Sequence, residues 1–368
     1  MDTLLRERKI VVCVGSGGVG KTTMAAALAV RARQIGLRAL VITVDPAKRL
    51  ATSMGLDLTG VEEREVPSLA ATGGSLAAAV VDSKRVFDDF VATHSNDPKL
   101  FEKLSKNALY QQLSTTLSGS QEFTALERLL QAYESDRFDL IILDTPPTQH
   151  AIDFLSAPER IQGLFQDAIT KWFMNPDENS GFLKQGLIGS IIGRGTRVAL
   201  KSLEILTGAK FIDELIDFFH SIRSIQKTLR ERSDKISSLL RSQEASFVLV
   251  TSFDAAKLLE ARHLSSHLKS FGYDLGACIL NRAFPEHLPD LSEIMSGDVA
   301  GGVSTEFKAA AEKLVAYHHV VKLDHAKRFE LFEDFERKIE SGVIVLRVPE
   351  YRQDLFGLED LEALAKSF

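Results

Sequence analysis

Short runs of β-branched and other apolar residues alternate along this chain with longer stretches whose apolar positions recur every three or four residues. The short runs fall at 9–15, 38–45, 138–144, 246–252, 276–281 and 343–348, with a weaker one at 75–82. They are apolar at successive positions instead of alternating, which is the pattern of strands covered on both faces. A parallel sheet with helical crossovers is therefore expected. After the first run, "TTMAAALAVRARQIG" is alanine-rich and closes on Gly36, a good helix former with a stop. Two stretches, about 83–133 and 156–241, are helical with no strand between. In the second, Leu215, Phe219, Ile222, Ile225, Leu229, Ile236 and Leu240 form one apolar stripe, expected to pack within the domain or to offer a groove to an apolar partner. Upstream, Gly181, Gly186, Gly189, Gly193 and Gly195 stand among Leu and Ile, a composition for a loop or lid.

Composition narrows the class. The 368 residues are 45% hydrophobic and 26% charged, enough to bury a large core in a single domain spanning 1–368, with the two helical stretches as an insertion subdomain. A net charge of -6 offers no general field for nucleic acid, so none is expected as a partner. No window approaches eighteen uninterrupted apolar residues and the N-terminus has no secretory pattern, so the expectation is a cytoplasmic protein without stable membrane insertion. Cys13 and Cys278 are the only cysteines, each inside an apolar run, so neither a disulfide nor a thiolate metal site is expected.

The chemistry gathers around "VVCVGSGGVGKTT", residues 11–23. Gly15, Gly17, Gly18 and Gly20 permit a backbone whose N–H groups approach phosphate oxygens, and the helix that follows adds the positive end of its dipole. Ser16 and Val19 complete this loop. Lys21 would place a charge on β- and γ-phosphates, and the Thr22 hydroxyl would ligate Mg²⁺. Asp45 ends the second confident run in "VDPAKRL"; it could cap a helix with Pro46 at its first position. Asp144 ends the third in "IILDTPPTQH", where a carboxylate at the end of a parallel strand faces the same crevice as the loop. Either aspartate alone could be a turn residue. With the loop they form a constellation, one carboxylate for the Mg²⁺ water shell and one to orient an attacking water.

"GSGGVGKTT", "VDPAKRL" and "DTPPTQHAIDFL", in this order, resemble the phosphate loop and two switch segments of the arsenite-pump and tail-anchored-protein targeting ATPase family, which belongs to the deviant Walker A class. The likeness extends to "SFVLVTSFDAAKLLEARHL", "ILNR" and "LRVPEYRQDLFGLEDL". It implies an α/β, doubly wound, mostly parallel sheet of the P-loop NTPase type with a helical insertion subdomain. It implies ATP and Mg²⁺ as cofactors and hydrolysis to ADP and phosphate. By position, Lys21, Thr22 and Thr23 would bind phosphates and metal, Asp45 would activate the water, and Asp144 would link to Mg²⁺, the carboxylates acting through water. Asp144, Thr148 and His150 would belong to the moving switch, Asn281 would read the adenine edge, and Pro349 would pack near the base. In such relatives two nucleotide domains face each other, and closure opens or shuts a helical groove for an apolar protein client.

The departures from the family pattern carry weight too. Where relatives of this class have a signature lysine that reaches across the dimer, this chain has Ser16, and a hydroxyl cannot replace that cation; an equivalent finger charge is worth roughly 10³ to 10⁵ in rate. Lys48 and Arg49 are the nearest substitutes by sequence. The working unit is then a homodimer with slow turnover, or a heterodimer whose paralogue carries the lysine. Pro146 and Gln149 replace the alanine and glycine usual in the eukaryotic targeting members. The paired cysteines that clamp zinc between subunits in that branch are missing, so no zinc is expected. His263 with His267, and His318, His319 and His325, read as solvated helix faces and not as metal ligands. Trp172 and Phe173 read as an anchor for the helical region. Two alternatives stay open: a nucleotide-sensing regulatory subunit working through a catalytic paralogue, and a positioning or partition-type ATPase, against which the short, acidic C-terminal stretch "GLEDLEALAKSF" argues.

Overall fold

The computed structural model describes residues 1–44, 50, 54–55, 63–67, 73–94, 98–107, 110–111, 120–146, 154, 156–157, 209–283, 305–339, 341–351, 355 and 357–368. In chain order the elements are α1 (Asp2–Glu7), β1 (Ile10–Gly15), α2 (Lys21–Gln34), β2 (Arg38–Thr43), β3 (Arg64–Glu65), β4 (Ser75–Val80), α3 (Ser83–His94), α4 (Pro98–Ser105) and α5 (Ser120–Glu134). They continue with β5 (Leu140–Asp144), α6 (Ala209–Leu240), β6 (Ala245–Ser252), α7 (Ala255–Ser270), β7 (Leu275–Ala283), α8 (Thr305–Lys338), β8 (Ile344–Pro349) and α9 (Gly357–Ala365).

The strands form one sheet in the order β3-β4-β2-β5-β1-β6-β7-β8. All neighbours are parallel except β3 against β4. The seven apolar runs are thus strands, and the parallel α/β expectation holds. Period two explains why both faces must be apolar. Ile10, Val12 and Val14 enter the core on one side of the sheet, shared with α5, α7 and the end of α6. Val11 and Cys13 enter the other, shared with α2 and α9. In α2 the residues Ala25, Ala26, Ala27 and Ala29 are fully buried; their small side chains let the helix lie close against the strands. Cys278 belongs to the first core and Cys13 to the second, so the sheet itself separates the two thiols.

A third cluster lies off the sheet, among α3, α4, α5 and α6, and contains Phe90, Leu104, Phe123, Phe218, Ile225 and Leu229. The predicted stripe therefore splits: Ile225 and Leu229 pack into this cluster, while Ile236 and Leu240 reach the sheet core. Those four positions serve packing within the chain. Leu215, Phe219 and Ile222 lie on α6, but their side chains, like Trp172, Phe173 and the glycines between 181 and 195, lie outside what is described. One expectation is corrected here. His325 is buried against Phe253 and Phe329, because it sits one turn before Phe329 on the face that α8 turns toward the core. Among the described residues no helix is long and apolar enough to cross a membrane.

Candidate functional site

The strand order reverses around β1, which lies between β5 and β6, so the carboxyl ends of these three strands meet at one crevice. β1 runs into that crevice at Gly15. A Cβ there would stand 2.2 Å from the Val250 carbonyl oxygen on β6, so only glycine lets the two backbones lie this close. Gly18 and Gly20 have φ of +80° and +85°, the left-handed region that glycine enters without strain. Gly20 caps α2, whose first residue is Lys21. Between the glycines Val19 is buried and pins the loop to the core, whereas Gly17 and Gly18 are exposed. The result is a backbone cradle at the start of a 14-residue helix.

Asp144 ends β5 and is 1% exposed. Register places it beside Cys13 on β1 and Thr43 on β2. The Thr22 hydroxyl donates to its Oδ2 at 2.7 Å, and the Thr43 hydroxyl donates to the same oxygen at 3.0 Å. Burial pushes the Cys13 thiol pKa upward, the Asp144 carboxylate adds to that, and Lys21 opposes it, so both charges lie within electrostatic reach of the strand end. Next along the chain, the Thr145 hydroxyl donates to the Cys13 carbonyl at 2.8 Å, fixing where the segment after β5 leaves the sheet.

Asn281 closes the crevice from the far side. It stands near the end of β7, and its Nδ2 donates to the Val19 carbonyl at 2.8 Å, while its Oδ1 accepts from the Arg282 N–H at 2.9 Å. Arg282 takes φ of +54°, an uncommon conformation for a residue with a side chain. A Cβ on Gly20 would meet Asn281 Nδ2 at 2.3 Å. Pro349 pairs in register with Ala283 and so lies at the end of the adjoining strand, two residues further along than Asn281.

The structure thus brings together Gly15 through Thr23, Asp144 and Asn281, with Pro349 at the neighbouring strand end. Asp45, Thr148 and His150 lie outside the described residues, as do Lys48 and Arg49. Three contributors were not read from the sequence. Thr43 and Thr145 are indistinguishable there from ordinary strand residues, and Glu260, on α7, carries no motif. Ser16 is 3% exposed. The Glu260 carboxyl is held below its ordinary pKa, chiefly by the Ser16 hydroxyl, with Lys257 adding to the effect. The donor set of a threonine hydroxyl and a carboxylate is hard oxygen, which suits Mg²⁺ and not a thiophilic metal.

A family model described as anion-transporting ATPase matches residues 8–297, from just before β1 to beyond β7. The chain belongs to that family. As a family member it is an ATPase, a nucleotide-binding enzyme. A putative arsenical pump-driving ATPase 1 of Aquifex aeolicus is 24% identical over 360 residues, covering 97% of this chain and 78% of the relative. The ATPase get3 of Aspergillus terreus is 25% identical over 314 residues, covering 84% of this chain and 82% of its own. The ATPase GET3B of Arabidopsis thaliana is 29% identical over 300 residues, 77% of this chain and 66% of that one. Likeness to the anion-transporting ATPases thus runs through the sheet and the cradle alike.

Proposed function

We propose that this member of the family is a dimeric Mg-ATPase whose hydrolysis moves the segment after β5 and thereby controls an apolar surface on its helical part, in a targeting or transport-associated role. The observation that carries this reading is the double hydroxyl donation to Asp144. One carboxylate oxygen accepts hydrogen bonds from the hydroxyls of Thr22, just after the phosphate loop, and of Thr43, two residues before Asp45 in the chain, and in this reading the chain leaving Asp144 begins the switch segment. Whatever alters the terminal phosphate and its metal is therefore felt at the root of that segment.

In this reading the loop amides from Ser16 to Lys21 and the Lys21 ammonium hold the phosphates. Thr22 and Asp144 hold Mg²⁺, which when bound neutralises phosphate charge. Asp45 orients and deprotonates the attacking water; Thr148 and His150 lie in the moving segment; Asn281 and Pro349 receive the base. Asn281 retains one amide hydrogen and one lone pair beyond the bonds described, the complement an adenine edge requires. Substituting Asp45→Asn is expected to leave Mg-ATP binding within about threefold while lowering turnover by about a hundredfold, ~2.7 kcal/mol at the transition state. Calorimetry beside a phosphate-release assay reads both, and undiminished turnover would refute the assignment.

Ser16 favours a second reading: a heterodimer whose paralogue supplies the trans lysine, this chain acting as the nucleotide-sensing subunit. Turnover of the purified chain, alone and mixed with a co-encoded paralogue, separates the two. A large rate gain on mixing supports the heterodimer, and equal rates support the homodimer.

A further inference from the structure

Thr43 belongs to no motif, yet it donates to the buried Asp144 carboxylate. Period two along the strands sets up the contact. On β2, Ala39 and Val41 enter the core on the α2 side, and on β5 Leu140 and Ile142 do the same. Thr43 and Asp144 are the next residues of these two series, and their Cα positions pair in register. Two apolar stripes thus end side by side in a hydroxyl and a carboxylate, where the sheet face meets the first turn of α2, which carries Thr22. On its other flank Asp144 pairs with Cys13, a buried thiol, so of the two adjoining strands β2 supplies the hydroxyl.

The two donors to Asp144 Oδ2 come from different parts of the fold. Thr22, at 2.7 Å, rides on the helix that follows the phosphate loop, whereas Thr43, at 3.0 Å, belongs to the sheet. Thr43 is itself fixed: it is 0% exposed, its carbonyl accepts from the Val81 N–H at 3.0 Å, and its Cα pairs with Val80 on β4. A carboxylate bonded to Thr22 alone would follow any movement of that helix end. The second bond holds it in the frame of the sheet, as precise placement of a reacting or metal-linked group requires. Asp45 follows Thr43 by two residues, so the strand that orients Asp144 is the one that leads to the residue proposed to activate the water.

We infer that Thr43 is a positioning residue of the ATPase site proposed above, on which this rests: its hydroxyl sets the Asp144 carboxylate for Mg²⁺ and keeps it in step with Asp45. Thr43 acts through Asp144 and not on the nucleotide. Its loss is therefore felt in the metal requirement and in turnover, while the metal-free grip of the loop on phosphate is kept.

The test is calorimetry of the full chain with a non-hydrolysable ATP analogue, in EDTA and across a Mg²⁺ titration, beside phosphate release at saturating ATP. Thr43→Val keeps the branched shape and suits a buried strand. It is expected to leave analogue affinity in EDTA within about twofold, to raise the Mg²⁺ needed for half-maximal effect about tenfold, and to lower turnover about tenfold, the scale of one hydrogen bond to a charged group. Thr43→Ser, which returns the hydroxyl, should recover most of both. An unchanged Mg²⁺ requirement in the valine variant, an equal loss of affinity with and without metal, or a serine variant no better than valine would overturn the inference. Asp144→Asn separates the two levels. If it raises the Mg²⁺ requirement while Thr43→Val does not, only the role of Thr43 falls; if neither variant changes it, the assignment of Asp144 to the metal falls as well.

Discussion

Gly20 shows how little freedom single residues have in this site. Its φ of +85° disfavours any side chain, and the one atom a Cβ would strike is the Asn281 amide nitrogen, at 2.3 Å. Gly20→Ala therefore combines left-handed backbone strain with displacement of Asn281, a cost of about 2–4 kcal/mol. A thermal melt should show the loss, and nucleotide binding should fall with it; a variant as stable as the parent would mean that the loop relaxes without Asn281. Glycines at 15, 18 and 20 were legible in the sequence because phosphate cradles need them at that spacing. The pull of the Ser16 hydroxyl on the Glu260 carboxyl was not legible, because it depends on β6 lying beside β1, which no local pattern encodes. His325 failed for a related reason: its charged neighbours suggested solvent, while its register with Phe329 and Phe332 decided burial.

Elements are tied together by a buried ion pair as well as by apolar packing. Glu127 of α5 is 0% exposed and receives Arg232 of α6, whose Nε lies 2.8 and 2.7 Å from its two oxygens; Arg232 also reaches Glu134 at 3.1 Å. Arg232→Met would keep most of the packing but strand the Glu127 charge, and is expected to destabilise the fold by about 3–5 kcal/mol. A denaturant titration checks this, and adding Glu127→Leu to the same chain should recover much of the loss. The helices themselves were readable from their three-to-four spacing, and the seven apolar strands from their unbroken runs. β3 was not, since two exposed residues, Arg64 and Glu65, carry no apolar signal and pair only because β4 offers an edge. That the α6 stripe divides between two cores was equally invisible, since periodicity defines a face and not what meets it.

At the scale of the whole molecule, the family match ends at residue 297, yet the fold does not end there. α9 joins the α2 side of the core, where Glu362 pairs with the buried Arg33 at 2.8 Å, so the far end of the chain braces the helix that starts at the phosphate loop. β8 extends the sheet beside β7 and brings Pro349 to the same rim. Across that rim Asn281 spans the end of β6 to grasp the carbonyl of Val19. The residue proposed to receive the base thus also steadies the loop whose amides are proposed to hold the phosphates, and on that proposal recognition of a nucleotide's two ends is mechanically shared. Inorganic tripolyphosphate, which has no base, should consequently bind several-fold more weakly to an Asn281→Ala variant, roughly 1 kcal/mol for one lost hydrogen bond. Equal affinity in competition calorimetry would show the two halves of the pocket to be independent.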